Sequence, residues 1–352
     1  MRRIKTVMVL WGSLLLLGNV LWFNPDLHAQ ADPFYQGKSI RIVVGFSAGS
    51  FYDVWARLIA RYMPKYIPGN PDIVVQNMPG AGSVIAANYV YNVAKPDGLT
   101  LGAPSNGIYL DQIVGRKEVQ FDVRKFVYLG SPVTEPILMY MRADAPYKSV
   151  ADMRKAKEPA KCGSGGTADS GYVLFRLLEH TLPPITIHTV TGYTGGPEID
   201  LAVERGEVIC RGFTASPFFS REPFLTWQKN KFVRVLLYTG RKRDPRIADA
   251  PTIFEVFEKE KVPEASRRVA EVILAREEFG RPIVGPPGTP ADRLKILRAA
   301  FEKSMRDQEL LAEAKKAMMD MDVVSGEALE KLADRIMSQP PEVIDQVRKL
   351  LK

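Results

Sequence analysis

The chain has 352 residues and a formal net charge of +8, from 48 lysines and arginines against 40 acidic residues. This length suits one large or two medium domains with well-buried cores. The basic residues alternate with acidic ones and do not gather with aromatics on one segment, which argues against nucleic-acid binding. The positive surplus is interpreted either as solubility or as a field that attracts anions.

The first 31 residues have the pattern of an export signal. Arg2, Arg3 and Lys5 precede an almost wholly apolar run over 7–17, and Ala29-Gln30-Ala31 supplies small residues at the two positions that a signal peptidase reads. We therefore expect cleavage before Asp32 and a periplasmic protein of 321 residues with a net charge of +6. The alternative is a retained membrane anchor, although the run over 7–23 is interrupted and barely long enough to span.

The segment after the signal alternates strand-like and helix-like patterns. Strands are predicted at 39–44, 72–76 and 99–103, with helices at 54–63 and 83–93. This β-α-β-α-β order predicts a parallel sheet with helices on its faces.

A second series of the same kind begins near Ile137. Its predicted strands are 137–141, 160–163, 185–190, 208–213 and 233–238, with helices at 172–181 and 198–205. A connection over 241–251 leads to a short strand at 283–285 and to helices at 290–317, 326–337 and after Pro341. Two such series predict two α/β lobes. Ligands of these sheets bind beyond the carboxyl ends of the strands, so the site is expected in a cleft between the lobes.

The loop after the first strand runs Gly45-Phe46-Ser47-Ala48-Gly49-Ser50-Phe51-Tyr52-Asp53 and leads into a helix. Small residues let a ligand approach the backbone, and a helix N-terminus offers unpaired N–H groups and partial positive charge. The loop is thus a candidate carboxylate site. It could equally be a tight turn capped by Ser50 or Asp53.

The same loop contains Gly45-x-Ser47-x-Gly49, the nucleophile-elbow pattern of α/β-hydrolases. This makes an exported hydrolase with Ser47 as nucleophile the alternative function. Such an enzyme needs a histidine base late in the chain, whereas about 160 residues follow His188 without one, and His180 lies near a predicted helix end. Two histidines at this spacing also make a poor metal site, so no metal is expected.

Further loops rich in small polar residues follow other predicted strands. They lack the Lys-Ser/Thr ending of a phosphate-binding loop and the dinucleotide fingerprint, so no cofactor is expected. They are Ser105-Asn106-Gly107, the stretch 162–171, the stretch 191–196, and Thr214-Ala215-Ser216.

At these loops the chain resembles the substrate-binding proteins of tripartite tricarboxylate transporters, the TctC or Bug receptors. Phe46-Ser47-Ala48-Gly49-Ser50 is similar to the family's Phe-Pro-Ala-Gly-Gly, and Asp53 stands in the place of its following aspartate. The other similar motifs, in the family's order, are Asn77-Met78-Pro79-Gly80-Ala81-Gly82-Ser83, Pro96-Asp97-Gly98, the loop 165–170, Tyr193-Thr194-Gly195-Gly196 and Pro286-Pro287-Gly288-Thr289-Pro290.

The resemblance implies an α/β fold with two Rossmann-like lobes and a ligand cleft between them, the type II or "Venus flytrap" periplasmic binding protein. The expected division is a signal peptide at 1–31, the first part of lobe 1 at 32–135, lobe 2 at 136–240, and a return to lobe 1 with C-terminal helices at 241–352. The expected function is a monomeric, non-enzymatic receptor that captures a small carboxylate and delivers it to membrane transporter subunits. The ligand-binding residues this implies are Phe46, Ser47, Ala48, Gly49, Ser50, Asp53, Asn106, Ser164, Gly165, Thr167, Ala168, Tyr193, Thr194 and Thr214.

The chain departs from the family at three of these positions. Ser47 stands where proline is usual, so the elbow pattern is explained as coincidence. Thr194 replaces a common lysine and Thr214 a common aspartate, and both changes alter the second-lobe side of the pocket.

The chain has two cysteines, Cys162 and Cys210. They are either two free thiols or a bridge, which an oxidising compartment permits. In a doubly wound lobe with strand order 2-1-3 their two strands are neighbours, which favours the disulfide. Such a bridge stabilises the fold by about 4 kcal/mol in the chain-entropy model.

Overall fold

The fold is described from a computed structural model, which covers residues 33–166, 169–193 and 195–351. The predicted signal peptide lies outside these residues. The strands are β1 (Ser39–Val44), β2 (Asp72–Asn77), β3 (Thr100–Ala103), β4 (Val127–Ser131), β5 (Ile137–Arg142), β6 (Ala160–Gly163), β7 (Ile187–Val190), β8 (Cys210–Thr214), β9 (Val233–Tyr238), β10 (Ile283–Gly285) and β11 (Val324–Ser325).

Helices connect and cover these strands. They are α1 (Phe51–Tyr62), α2 (Val84–Asn92), α3 (Ile108–Val114), α4 (Val150–Lys155), α5 (Ser170–Thr181), α6 (Gly196–Glu204), α7 (Ala215–Ser220), α8 (Phe224–Lys229), α9 (Ile253–Lys259), α10 (Glu264–Phe279), α11 (Ala291–Ser304), α12 (Gln308–Lys316), α13 (Gly326–Met337) and α14 (Pro341–Leu351). None of the described helices is both long and apolar enough to span a membrane.

The strands form two sheets, and the two-lobe α/β fold is confirmed. One sheet has the order β11-β4-β10-β3-β1-β2, and the other has the order β7-β6-β8-β5-β9. The chain passes from the first sheet to the second through 132–136, and it returns after β9 by way of α9 and α10 to β10.

The prediction of parallel sheets is correct for each β-α-β-α-β unit and wrong for the strands beside it. β1 pairs in parallel with β2 and β3, and β6 pairs in parallel with β7 and β8. β10 is antiparallel to β3 and β4, and β5 is antiparallel to β8 and β9. These antiparallel strands are those at which the chain passes between the sheets, so they enter from the opposite end.

Each sheet has its own apolar packing. In the first, β1 residues such as Ile40 and Ile42 pack with Trp55 of α1 and Phe301 of α11. In the second, Tyr140 lies among Phe213, Phe218, Phe224 and Trp227. Helix α10 contacts α5, α13 and α14, so it packs against elements of both halves of the molecule.

The predicted order 2-1-3 is confirmed for β6, β7 and β8. Cys162 on β6 lies directly opposite Cys210 on β8, with a Cα–Cα distance of 4.5 Å, and the two sulfurs form a disulfide. Both cysteines are fully buried.

Candidate ligand-binding cleft

The loop 45–50 joins β1 to α1 and exposes its small residues. Ser50 caps α1, and its Oγ accepts a hydrogen bond from the Asp53 amide (3.3 Å). Ser47, Ala48 and Gly49 are exposed. Within the described part of the chain, the amides of Ser47 and Ala48 have no hydrogen-bond acceptor. The loop therefore offers free donors in front of a helix N-terminus.

The side chain of Asp53 holds this loop in place through hydrogen bonds. The side chain is buried and accepts hydrogen bonds from the Gly49 amide (2.8 Å), Asn77 Nδ2 (2.9 Å) and Arg57 Nε (3.0 Å). Burial alone would raise the pKa of Asp53, but the hydrogen bonds from Arg57, Gly49 and Asn77 outweigh it and lower the pKa. The structure thus uses Asp53 to fix the loop, and its predicted contact with the ligand stays a prediction.

Residues at the carboxyl ends of β1, β2 and β3 are held together by hydrogen bonds and close packing. Asn77, at the end of β2, also donates to the Phe46 carbonyl (2.9 Å). Ser83 Oγ accepts from the Ser105 amide (3.0 Å), and a Cβ on Gly45 would lie 1.8 Å from that same oxygen. Glycine at 45 is thus required by close approach of the two segments. The family-like motif at 77–83 has a structural role, which is to support the first loop.

Phe46 and Asn106 lie at the base of the same surface. Phe46 is half-buried and stacks on Tyr52, with ring centroids 4.3 Å apart. The Tyr52 hydroxyl accepts from the Asn106 amide (2.9 Å), and the Asn106 side chain donates to the Arg276 carbonyl (2.9 Å). The Asn106 side-chain amide nitrogen therefore binds α10, while Phe46 retains some exposed surface.

In the second sheet, the loop after β6 has the same design. Ser164 is buried, and its Oγ donates to Asp169 Oδ1 (3.1 Å), which also accepts from the Gly171 amide (2.8 Å) at the start of α5. Gly165 is exposed. A Cβ at Gly165 would meet only ordinary contacts, at 3.6 Å or more. Thr167 and Ala168 lie outside the described residues.

A buried arginine that sequence reasoning missed supports the loop 191–196. Arg211 on β8 forms an ion pair with Asp200 of α6 (2.6 Å), and Asp200 also accepts from the Tyr140 hydroxyl (2.8 Å). Arg211 further donates to the Gly196 carbonyl (3.2 Å), where α6 begins. Tyr193 is half-buried, and Thr194 lies outside the described residues. The signal available in the sequence was an arginine within an otherwise buried strand.

A cavity of about 290 Å³ opens between the two halves of the molecule. Phe51 and Trp55 of α1 line one side, while Thr214 and Ala215 at the end of β8 line the other. Thr214 was among the predicted ligand residues, whereas Phe51 and Trp55 were not.

Charged side chains also line this cavity. Arg281 forms an ion pair with Glu135 and covers the Tyr52 ring at 4.0 Å. Burial raises the pKa of Glu135, although the charge of Arg281 acts in the opposite direction. Arg246 pairs with Asp244 (2.7 Å) and lies over the Phe219 ring at 3.7 Å. Asp320 and Asp322 also line the cavity, so its charged lining has four carboxyl groups against the two guanidinium groups of Arg246 and Arg281.

The hydrolase alternative finds no support in this arrangement. The two described histidines, His180 and His188, lie on α5 and β7 of the second sheet, whereas Ser47 follows β1 of the first. Across the described residues, no group of three or more histidine, cysteine or carboxylate side chains is placed to hold a metal ion.

The geometry is that of a two-lobed solute-binding protein. The model of the "Tripartite tricarboxylate transporter family receptor" matches residues 56–348, and the chain belongs to this TctC family. The resemblance found in the sequence is thereby confirmed.

Three known proteins illustrate the likeness. A protein of Cupriavidus necator, described as "UPF0065 protein in gbd 5'region", is 28% identical over 280 residues, which is 79% of this chain and 77% of that protein. The crystal structure of a TctC solute-binding protein from Polaromonas, without ligand, superimposes with a TM-score of 0.71 at 19% identity, over 90% of this chain and 99% of the other. An R. palustris structure with adipate gives a TM-score of 0.58 at 19% identity, over 90% and 97% of the two chains. Both structures support the fold.

Proposed function

We propose that this protein is a periplasmic receptor that closes its two lobes around a small carboxylate and delivers it to a tripartite-type membrane transporter. The observation that carries the proposal is the exposed loop at Ser47 and Ala48, whose free amides stand before α1 and whose backbone is fixed by Asp53 and Asn77. Such preformed donors bind an anion without first having to be ordered.

The ligand carboxylate would lie between the loop 46–50 and the facing loop 164–168. Hydrogen bonds to a charged group contribute roughly 1.5–3 kcal/mol each, so a few loop amides suffice without a dedicated arginine. Phe46 would cover part of the carbon body of the ligand. The adipate in the R. palustris structure supports this class of ligand.

The second-lobe residues would set which carboxylate is bound. Thr214 lines the cavity between the lobes. Thr194, which lies outside the described residues, stays a predicted contact with the same part of the ligand. Hydroxyl groups replace the lysine and aspartate common in the family at these positions. The far end of the ligand is therefore expected to be neutral and polar or apolar.

The experiment for this site uses two bulky substitutions. Ala48→Leu and Gly165→Leu should fill the approach to the loops and weaken binding by a hundredfold or more, because each removes access to at least two charge-assisted hydrogen bonds. Calorimetry with adipate, with hexanoate, whose far end is neutral, and with any acid recovered with the protein measures the affinity. Ala265→Leu, on an exposed position of α10, is the matched control and should bind like the parent.

If both loop variants bind as tightly as the parent with unchanged circular dichroism, the ligand lies elsewhere. Labelling by diisopropyl fluorophosphate at Ser47 would instead favour the exported hydrolase.

We further propose export by a cleaved signal and action as a monomer. The mature protein should begin at Asp32, after Ala29-Gln30-Ala31. N-terminal sequencing of periplasmic material and its sedimentation velocity measure both properties. An intact Met1 in a membrane fraction would show that the segment is retained as an anchor.

A further inference from the structure

The ion pair between Arg246 and Asp320 lies where two cavities meet. Beside the cavity between the lobes there is a second cavity of about 320 Å³, and the side chains of Arg246 and Asp320 line both. Ser216, Met319 and Met321 also line both cavities. The two spaces are therefore adjacent, and the ion pair lies at their common boundary.

Three parts of the fold hold Arg246 at this boundary. In its own segment, which follows β9, Nε and Nη2 donate to the two oxygens of Asp244 (3.0 and 2.7 Å). Nη1 lies 3.3 Å from Oδ1 of Asp320, between α12 and β11 of the first lobe, and the guanidinium covers the ring of Phe219 on α7 of the second lobe at 3.7 Å. A planar guanidinium held both at its edge and on its face has few other positions, so the pair forms a fixed partition.

The cavity between the lobes begins beside the proposed carboxylate site. Phe51, which directly follows the loop 46–50, lines one side of this cavity, and Arg246 and Asp320 line it as well. The carbon chain of an acid held at the loop would therefore extend from Phe51 toward the ion pair. The apolar side chains that it would meet are those of Phe51, Trp55, Val133, Ala215, Pro217 and Met321.

The ion pair ends this path although more apolar surface lies beyond it. The further lining of the second cavity includes Phe219, Leu311, Ala314 and Met318. A chain that passes from the first cavity into the second has to displace the pair, which separates two charges and leaves them without their partners. The first cavity alone, at about 290 Å³, lies at the lower end of the range of roughly 300–1,000 Å³ that ligand pockets have.

We infer that Arg246 and Asp320 determine the length of the bound acid, because their ion pair closes the ligand cavity at the end away from the carboxylate site. The protein would accordingly select carboxylates with a short carbon chain over those with a long one. The inference rests on the proposed receptor function, since it takes the carboxylate to lie at the loop 46–50.

Shortening Arg246 should join the two cavities and reverse the preference for chain length. Calorimetry compares hexanoate with decanoate, which has the same carboxylate on a longer chain. The parent should bind hexanoate roughly tenfold more tightly than decanoate, because decanoate has to displace the ion pair. Arg246→Ala should bind decanoate more tightly than hexanoate, since each further buried methylene strengthens binding roughly fourfold.

Two further variants separate a change in the cavity from a loss of structure. Asp320→Ala removes the other half of the pair while Arg246 keeps its contact with Asp244, and it should shift the preference in the same direction by a smaller factor. Arg243→Ala is the matched control, because it removes a comparably exposed ion pair with Glu255 (2.9 Å). Neither member of that pair is among the described residues that line the two cavities, so this variant should keep the preference of the parent.

Refilling the second cavity should undo the effect of Arg246→Ala. Leu311 of α12 lines this cavity, and Leu311→Trp in the Arg246→Ala background should restore the preference for hexanoate. A general loosening of the fold by the first substitution would not be corrected by the second.

Equal preferences in the parent, Arg246→Ala and Asp320→Ala, with unchanged circular dichroism, would overturn the inference and leave the receptor function standing. If the parent binds neither acid, or if Ala48→Leu binds them as tightly as the parent, the carboxylate does not lie at the loop 46–50. The receptor function and the inference would then fail together.

Discussion

Asp53 is the residue on which the shape of the first loop depends. Asp53→Asn removes the charge from hydrogen bonds to Gly49 and Arg57, each worth roughly 1.5–3 kcal/mol to a charged acceptor. We expect a loss of about 2 kcal/mol in the free energy of unfolding, measured in urea, together with weaker ligand binding. Ala48→Leu should by contrast weaken ligand binding with little loss in the free energy of unfolding.

The same residue predicts a pH dependence. Since the folded state lowers the pKa of Asp53, its contribution is present above the ordinary aspartate pKa and is lost as pH falls through the lowered value. The acid side of the stability profile should therefore be shallower in Asp53→Asn than in the parent. Equal slopes for the two proteins would mean that the pKa of Asp53 is the same in the folded and the unfolded state.

At this scale the sequence identified the loop but not what each side chain does there. The order of small residues predicted an accessible backbone at 47–49, which is exposed. The sequence could not distinguish residues that support the loops from residues that face the cleft. Asp53 accepts a hydrogen bond from Gly49, and Asn106 donates one to the Arg276 carbonyl, so both support the loops. Those partners lie on other elements, and only the fold brings them together.

At the scale of elements, the disulfide makes the strongest prediction. Replacing both Cys162 and Cys210 by alanine should lower the free energy of unfolding by about 4 kcal/mol, because the bridge closes a loop with a sequence separation of 48. Chemical denaturation of this variant, of the reduced parent and of the oxidised parent measures the effect. Similar midpoints for all three would show that the bridge adds nothing to the folded state.

Element boundaries were predicted best where local chemistry sets them. Strands β1, β6, β9 and β10 and helix α13 have the predicted bounds. The single helix expected over 290–317 is two helices, because Asp307 accepts hydrogen bonds from the amides of Glu309 and Leu310 and so starts α12. Eight elements were not predicted: strands β4 and β11 and helices α3, α4, α7, α8, α9 and α10. Helix α10 is charged on much of its surface and buries its apolar residues against elements distant in sequence.

For the whole molecule, the family motifs and the alternation of strands and helices predicted two α/β lobes. The two sheets and the match to the family model agree with this prediction. The antiparallel strands β5 and β10 were not predictable from alternation. The direction of these strands depends on where the chain passes between the two sheets. That position is set by the order of all the strands and not by the sequence of any one of them.

The central claim is that the two lobes hold a small carboxylate between the loops 46–50 and 164–168. Native mass spectrometry of protein purified from periplasm without unfolding, and then incubated with adipate or with hexanoate, whose far end is neutral, tests it most directly. We predict a one-to-one added mass of a carboxylic acid in the parent and in Ala265→Leu, lost on unfolding and absent from Ala48→Leu and Gly165→Leu. A parent that carries no carboxylate under any of these conditions, or loop variants that retain it fully, would contradict the account.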